Sequence, residues 1–478
     1  MPNRPPSFIR IIKTRFLARV VLPAAAGLGL SACYTSPSLK VDQLQAEVPS
    51  AWAVEGASEA VFEPGSWVSD FNDPRLESIL EEALEYNFDL KIAASRLEAA
   101  LANTRAGRSE VWPSLNLSGN GSESRRNPTA SGTSQTPVNE SYGLNARFNW
   151  EIDIWGKLRN GYRGDLADAE MALADYEAAR LSLLGRVAKA WYEAVEAHQQ
   201  FELEKRILDA LTQSSRIVEE NFSSGIASAL DVRLIRANLA SSQSSLEGRR
   251  RSRQDAITNL ETLLGRYPKS ELDIVSTFPD LNNTIPAGLP SELLLRRPDV
   301  VSAERSLAAA EQRKFQTSKA RLPSLDLSLS RGTSVQDLSD IFKVAEQRIW
   351  SQSLNVAQTL FEGGRLKANF RRARAQHEQA VATYANTVLT AFREVENSLS
   401  YQDSFARDYE ALKVAAFESV EAEKLAWEEY SSGLSTITTV LDSVRRSITA
   451  QRSYIQVANR RIQSRIDLYL ALGGGFGA

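Results

Sequence analysis

The chain has 478 residues, with Lys+Arg 56 against Asp+Glu 59 and a formal net charge of -3. That is enough length for about three ordinary domains or one long object, and the balanced charge carries no excess that would point to nucleic acid. Two histidines, His198 and His377, and a single cysteine exclude a Cys-rich or His-rich metal site and any disulfide within the chain.

Arg4, Arg10, Lys13, Arg15 and Arg19 precede an apolar run from Val20 to Leu30, and Leu30-Ser31-Ala32-Cys33 follows. This reads as a secretory signal over 1–32, too short for a comfortable membrane span. The small residues before the cysteine resemble a bacterial lipobox, in which Cys33 receives diacylglycerol and an acyl chain and becomes the first mature residue. An ordinary signal peptide with an incidental cysteine is the alternative. Tyr34, rather than an aspartate, fits the sorting pattern of outer-membrane lipoproteins. A lipid places a chain on a membrane without making it span one.

The mature N-terminal segment, 33–73, is rich in Pro and Ser and weakly periodic. A helix is expected from Pro74 to Glu110, stopping because the residue before Pro113 is disfavoured in the α region. A strand over about 113–122, a Gly/Ser/Thr/Asn-rich loop and a second strand over about 140–154 come next. Ser141 to Ile154 alternates at every position, with Tyr142, Leu144, Ala146, Phe148, Trp150, Ile152 and Ile154 on one side. Such a stretch is amphipathic only when extended. It suits either the edge of a soluble sheet or a transmembrane strand, which needs roughly 9–11 residues. Helices over 157–222 and 229–267 follow, joined by a turn at Ser223-Ser224-Gly225. The linker over 268–298 is rich in Pro and turn residues.

The chain is then written again. Asp89 to Ser118 aligns with Asp299 to Ser328 at an offset of 210, including Ala93/Ala303, Leu97/Leu307 and Pro113-Ser114-Leu115 with Pro323-Ser324-Leu325. Leu144-Asn145 matches Leu354-Asn355 at the same offset; beyond it the offset is 208, giving Gly156/Gly364, Tyr176/Tyr384, Ser-Ser-Gly at 223 and 431, and Leu-Gly at 264 and 472. Two repeats, 74–267 and 299–478, thus share one ground plan, sought before any fold is named. The second has strands over about 323–331 and 350–361, a short helix around Val335 to Glu346, and helices over 365–430 and 438–472. Each proline-free helix of some 66 residues would be about 100 Å long, which suits a coiled coil or helical tube. Val381, Tyr384, Val388, Phe392, Val395 and Leu399 form a 3-4 seam, matched by Leu173, Tyr176, Arg180, Leu184, Val187 and Trp191. Gly225 and Gly433 fit positions needing φ > 0.

This order resembles the outer-membrane factor family, the TolC-like ducts, and within it the lipoprotein branch of multidrug and metal efflux factors. The similarity runs from about 37 to 474. It is carried by Cys33 in its lipobox, Leu289-Pro290-Ser291-Glu292-Leu293-Leu294, Arg296-Arg297-Pro298-Asp299-Val300, Asp153-Ile154-Trp155-Gly156-Lys157-Leu158, Phe361-Glu362-Gly363-Gly364-Arg365-Leu366, and Phe222 or Tyr430 before Ser-Ser-Gly. The resemblance implies a mainly α homotrimer with a β-barrel portion. Each protomer gives four strands to a twelve-stranded transmembrane barrel in the outer membrane and its long helices to a periplasmic α-barrel. It implies a periplasmic adaptor (membrane fusion protein) and a proton-driven inner-membrane pump as partners, outer-membrane lipid around Tyr142, Leu144, Phe148 and Trp150, and neither cofactor, nucleic acid nor enzymatic activity. It also implies a periplasmic gate at the helix turns, in which Asp231, Tyr430 and Asp442 occupy family gate positions. Thr439 stands where one family member has a further aspartate. For Asp231 the alternative is a residue favoured at a helix start.

A duct for small toxic compounds is the leading reading, with a type I secretion duct for proteins and a periplasmic lipid-anchored coiled-coil scaffold as alternatives. A scaffold does not explain four strands at duplicated positions. Catalytic signatures such as His-Glu-x-x-His or a phosphate-binding Gly-rich loop are missing from the sequence. Arg249-Arg250-Arg251-Arg253 suits a solvated helix face.

Overall fold

The computed structural model describes residues 52–53, 67–125, 138–274, 277–281, 285, 290, 294, 296–341 and 348–474. The signal over 1–32, Cys33, most of 33–66 and most of the Leu289–Leu294 motif lie outside the described residues, as do residues 342–347, where the helix around Val335 to Glu346 was expected to end. Within that helix's span, only a short 3₁₀ turn at Leu338–Asp340 is described.

A 3₁₀ turn at Trp67–Phe71 leads into α1, Pro74–Tyr86, and α2, Phe88–Ser109. The single helix expected over 74–110 is therefore two. Asp73 caps α1 by accepting from Arg75 N and Leu76 N at 3.1 and 3.2 Å, with Pro74 at a position whose N–H has no helical partner anyway. Asn87 then turns extended, at φ -62 and ψ 130, and its side chain accepts from Leu90 N to start the second helix. A short polar side chain here competes with the backbone and favours a cap over continuation.

Four strands follow the expected order: β1 Ser114–Arg125, β2 Val138–Glu151, β3 Ser324–Val335 and β4 Arg348–Ala357. They form one antiparallel sheet ordered β1-β2-β3-β4. The second strand stops before Ile154, because Asp153 Oδ2 accepts from Arg159 N at 2.9 Å and commits the chain to the next helix. The fourth stops before Phe361, because its partner β3 begins at Ser324, opposite Ala357, after Pro323. The first and third strands run further outward than expected. Registers also correct the repeat. Ser114 lies opposite Asn149 and Ser324 opposite Ala357. The β1-to-β3 offset is 210 and the β2-to-β4 offset is 208, so Leu354 is the counterpart of Ala146 rather than of Leu144. The two-residue deletion lies in the loop before β4.

The sheet has two chemistries. One face carries Leu115, Leu117, Leu144, Phe148, Trp150, Leu327, Leu329, Leu354 and Val356, with polar Arg331, Thr333 and Arg348 toward its outer end; the other carries serines, asparagines and glycines around Arg147. Ser328 Oγ donates to Asn149 Oδ1 at 3.2 Å, and the Ser330 and Ser351 hydroxyls lie 2.8 Å apart.

From the sheet run α3, Lys157–Ser223, and α6, Arg365–Ser431, of 67 residues each, or about 100 Å. They return as α4, Ala229–Leu263, and α7, Ile437–Ala471. The second repeat opens on α5, Pro298–Lys319. No described helix is long and apolar enough to cross a membrane. The middle of α3 is buried around Leu183, Val187, Trp191 and Val195 beneath α1 and the 3₁₀ turn. There Trp191 Nε1 donates to Asp73 Oδ2 at 2.8 Å, and Trp67 stacks on Tyr469 at 5.6 Å. Leu173, expected in the buried seam, is 50% exposed, and Ala174 is buried in its stead. Tyr384, Val388 and Val395 are buried as expected.

Each repeat closes on itself the same way. Asn87 Nδ2 donates to Leu263 O at 2.8 Å in the first, and Arg297 Nη1 donates to Ala471 O at 3.2 Å in the second. Asp89 meets Arg186 at 3.4 Å; in the second repeat their counterparts are both acids, Asp299 and Glu394, and Arg297 meets each of them at 2.7 Å. Arg253 lies over the Phe201 ring and Arg461 over that of Tyr409, one pair in two copies. Helix α4 ends at Leu263 rather than 267, because Gly265 turns left-handed (φ 74) and Arg266 N bonds back to Glu261 O at 2.9 Å.

Gly265 and Gly225 share that left-handed geometry but not its surroundings. A Cβ at Gly265 would lie 2.8 Å from Tyr86 O, whereas at Gly225 it would meet nothing within 4 Å. Gly225→Ala should then cost about 1–2 kcal/mol, the handedness penalty alone. Gly265→Ala should lower the melting temperature in detergent further, because backbone must also move.

Candidate gate at the helix tips

The two hairpins end together. Both long helices stop in a Schellman motif: Gly225 N donates to Phe222 O at 3.0 Å and Ile226 N to Asn221 O at 2.8 Å, and Gly433 N and Leu434 N repeat this on Tyr430 O and Glu429 O at 3.0 and 2.8 Å. Gly225 and Gly433 take φ 79 and 74, as the sequence requires. Behind the turns, Leu211, Val218, Val232, Ile235, Ala426, Ile437, Val440 and Val444 form one buried cluster drawn from all four helices. Ile226 and Leu434 point the other way, 77% and 81% exposed.

Helix α4 starts on a capping box, with Asp231 N donating to Ser228 Oγ at 3.2 Å and Ser228 N to Asp231 Oδ2 at 2.9 Å. The helix-start reading of Asp231 is thus realised in the fold. The same carboxylate also faces Tyr430, whose hydroxyl pKa is raised by burial and by the Asp231 charge. Tyr430 is held edge-on to Trp427 at 6.0 Å. At the equivalent start of α7 the acid is replaced by Thr439, whose hydroxyl sits 3.1 Å from that of Thr436. Asp442 lies one turn deeper. Arg446 Nε donates to it at 2.7 Å, Arg445 Nη2 donates to its other oxygen, and the two arginines hold its carboxyl below the ordinary range. Arg236, further along α4, pairs with Glu219 of α3 at 2.7 Å. Asp231 is therefore committed to the capping box, with its charge felt at Tyr430, and Asp442 has a separate clamp.

Two features of this region escaped the sequence reading. Glu204, 2% exposed, is paired with Arg452 and accepts from Ser242 Oγ at 3.4 Å, tying α3, α4 and α7 together above the apolar cluster. Its signal was present, since Gln200, Glu204 and Leu211 fall on one buried helical phase. Glu423 lines a cavity of about 160 Å³ with Arg206, Trp427 and Gln451, and burial raises its pKa despite a hydrogen bond from Ser447.

At the other end of the molecule, Tyr142, Leu144, Phe148 and Trp150 share one face of β2, and the Trp150 indole donates to Val111 O at 3.1 Å. Leu144 lies level with Thr333, and Thr333 with Arg348, nearer the polar outer border of that face than Phe148. Cys33 lies outside the described residues.

A family model described as outer membrane efflux protein matches residues 79–266 and 289–474. The solvent efflux pump outer membrane protein SrpC of Pseudomonas putida is 32% identical over 467 residues, covering 95% of this chain and 98% of the relative. The pyoverdine export outer membrane protein OpmQ of Pseudomonas aeruginosa is 32% identical over 462 residues, covering 95% and 96%. Among solved structures, the Campylobacter jejuni CmeC outer membrane channel superposes with a TM-score of 0.84 at 25% identity, covering 92% of this chain and 95% of that one.

The two tip acids should titrate in opposite senses. Glu423, with its pKa raised on folding, gains a proton that favours the packed tip, so mild acid should strengthen packing there. The Asp442 clamp, with its pKa depressed, is present above the ordinary carboxylate range and is lost only as pH falls below it. Melting curves should rise slightly on mild acidification. Glu423→Gln should reduce the rise without abolishing it, since Glu196 and Asp165 are raised in the same sense. The solvent-exposed Asp442 clamp should add little to the fall in strong acid.

Proposed function

Since the chain belongs to the outer membrane efflux protein family, and with it to the outer-membrane channels of tripartite efflux systems, we propose that it carries small toxic compounds outward from a proton-driven inner-membrane pump through a periplasmic adaptor. The observation that carries this reading is the whole-length match to relatives named for solvent efflux and pyoverdine export. The two-faced sheet supports it physically. An apolar face suits lipid, and a Ser/Asn face suits a water-filled lumen that need not recognise its cargo. A four-stranded sheet leaves two open edges, which hydrocarbon does not tolerate, and three copies close it with twelve strands. The helices then extend into the periplasm.

At the far end, Asp231, Tyr430 and Asp442 form the gate in this reading, and the exposed Ile226 and Leu434 meet the adaptor. Lipidation of Cys33 is part of the same proposal. Trp52 packs on Phe392 at 6.2 Å and Ala53 N donates to Glu396 Oε1 at 2.7 Å, holding these two residues against α6. Phe392 lies 27 residues, or about 40 Å, along α6 from Arg365. The 19 residues from Cys33 to Trp52 span up to about 65 Å extended. The lipid can therefore reach the bilayer crossed by the barrel. Loss of palmitate labelling in Cys33→Ser tests it.

Cells lacking the chain should become hypersensitive to solvents or antibiotics, with rescue by the wild-type chain. Phe148→Arg should fail to rescue, because arginine on a lipid face costs about 2–4 kcal/mol at the midplane. Leu144→Arg, nearer the border, should be milder, and Asn145→Arg, on the lumen face, should only alter conductance. In planar bilayers, Asp442→Asn and Asp231→Asn, which keeps the acceptor of the capping box, should raise closed-state conductance; unchanged values would remove these acids from the gate. Unchanged sensitivity together with loss of a secreted protein would favour a secretion duct.

A further inference from the structure

We propose that the inner wall of the helical tube carries, in each protomer, a binding site for an amphipathic organic cation of drug size. The ligand's charge sits by Asp299 and Glu394, and its aromatic body lies against Tyr401 and Phe405. The proposal rests on the duct reading and deepens it by naming a class of cargo that the wall itself holds.

The site is a cavity of about 730 Å³ between α3 and α6, where the end of α7 meets the start of α5. Ligand pockets are of this size, roughly 300–1,000 Å³. Leu181 of α3 and Leu470 of α7 supply apolar walls. Tyr401 and Phe405 of α6 stand one turn apart, with ring centroids at 6.2 Å, and Tyr401 is 53% exposed. Across the cavity, Ser464 Oγ is buried and finds no hydrogen-bond partner among the described residues. Such a hydroxyl carries a desolvation cost that a ligand acceptor recovers. Arg297 ties Glu394 to Ala471 at the end of α7. Seven residues separate Glu394 from Tyr401 and Ala471 from Ser464, so Tyr401 and Ser464 stand level, about 10 Å from the carboxylates.

The cavity opens inward. Glu394, Asn397, Ser398, Tyr401 and Phe405 recur at three- and four-residue spacing along one face of α6. Phe392 and Glu396, which hold Trp52 and Ala53, lie on the opposite face. Helix α7 agrees. Arg460, Ser464, Asp467 and Ala471 line the cavity, while Tyr469, on the other side, stacks on Trp67 and donates to Asp70. Three copies of that covering would plug the tube if they faced its axis. They lie outside, and the cavity faces the lumen.

Charge selects the ligand. The buried Arg297 is shared by two carboxylates: Nε and Nη2 donate to Asp299 at 3.0 and 2.7 Å, and Nη2 also donates to Glu394 at 2.7 Å. One guanidinium against two acids leaves an excess negative charge, and the acids stay 44% and 45% exposed beside the cavity. Asp467 is neutralised by Lys189. Arg460 lines the far end, where it is exposed and offsets the charge of Glu196, so solvent and that acid weaken its pull on an anion. A cation meets an uncompensated carboxylate and two aromatic faces. Because a duct must release what it admits, the binding is weak and quickly reversible.

Equilibrium binding to the purified full chain in detergent, with empty micelles as the blank, tests the site. Ethidium serves as the cation and an anilinonaphthalene sulfonate dye as the anion, since both brighten on leaving water. Ethidium should saturate at one molecule per protomer and bind about tenfold more tightly than the anion. Glu394→Gln, which keeps an acceptor for Arg297, should weaken ethidium about tenfold, the worth of one charged contact. Tyr401→Ala, at an exposed ring that folding does not need, should weaken it several-fold. Ser464→Leu, which fills the cavity where no hydrogen bond is lost, should abolish saturable binding. Equal affinity for the two dyes, or ethidium binding unmoved in variants that keep the parent melting temperature, would overturn the inference. So would the lack of saturable binding by a chain that conducts ions in planar bilayers. A parent chain that binds ethidium but neither conducts nor restores drug resistance to cells lacking it would instead refute the duct reading beneath.

Discussion

A strand edge in hydrocarbon leaves a row of backbone N–H and C=O groups with nothing to bond, at several kcal/mol for each. The edges at Ser114–Arg125 and Arg348–Ala357 are such rows, and the remainder of the architecture follows from satisfying them. Closure by identical copies requires the first and last strands to be complementary, and an internally duplicated chain meets that condition automatically. The helices inherit the same order, because each leaves the sheet immediately after a strand. The left-handed glycines Gly156 and Gly364 mark both departures.

Much of this was legible in the residues because period two and period 3.6 cannot be confused over such lengths. The alternation at 141–154 and the absence of proline from both long helices located the sheet and the hairpins to within a few residues. Boundaries failed where a polar side chain decided them. Asn87 broke a helix that periodicity left whole, and Asp153 ended a strand whose alternation ran on. The repeat was visible, but the site of its two-residue deletion was not. A chance Leu-Asn match at 354 outweighed the true counterpart at Ala146, and only hydrogen-bond register separates the two. Leu173 shows the same limit, since a seam defined by spacing does not say which flank a neighbouring helix covers.

The tips show what duplication permits. Ser228 and Asp231 in the first hairpin correspond to Thr436 and Thr439 in the second, so one start is held by a carboxylate and the other by hydroxyls. Asp442 corresponds to Leu234 and was gained or kept on one side alone. Fold-maintaining roles recur in both copies, as with Gly225 and Gly433 or Asn87 and Arg297. The acids at the tip do not recur. That asymmetry separates them from the scaffold more clearly than their identity does, and Asp231 belongs to both classes.

The buried pair of Glu204 and Arg452 has a mechanical meaning. It clasps three helices 19 residues above Ser223, which is about 28 Å of helix. Below it the hairpins form a lever of that length, held by apolar contacts that slide more readily than an ion pair breaks. Each degree of bending at the clasp displaces the tip by about half an ångström over such an arm. A widening of several ångströms therefore asks only about ten degrees of the helices, a strain that a tube this long absorbs as gentle curvature.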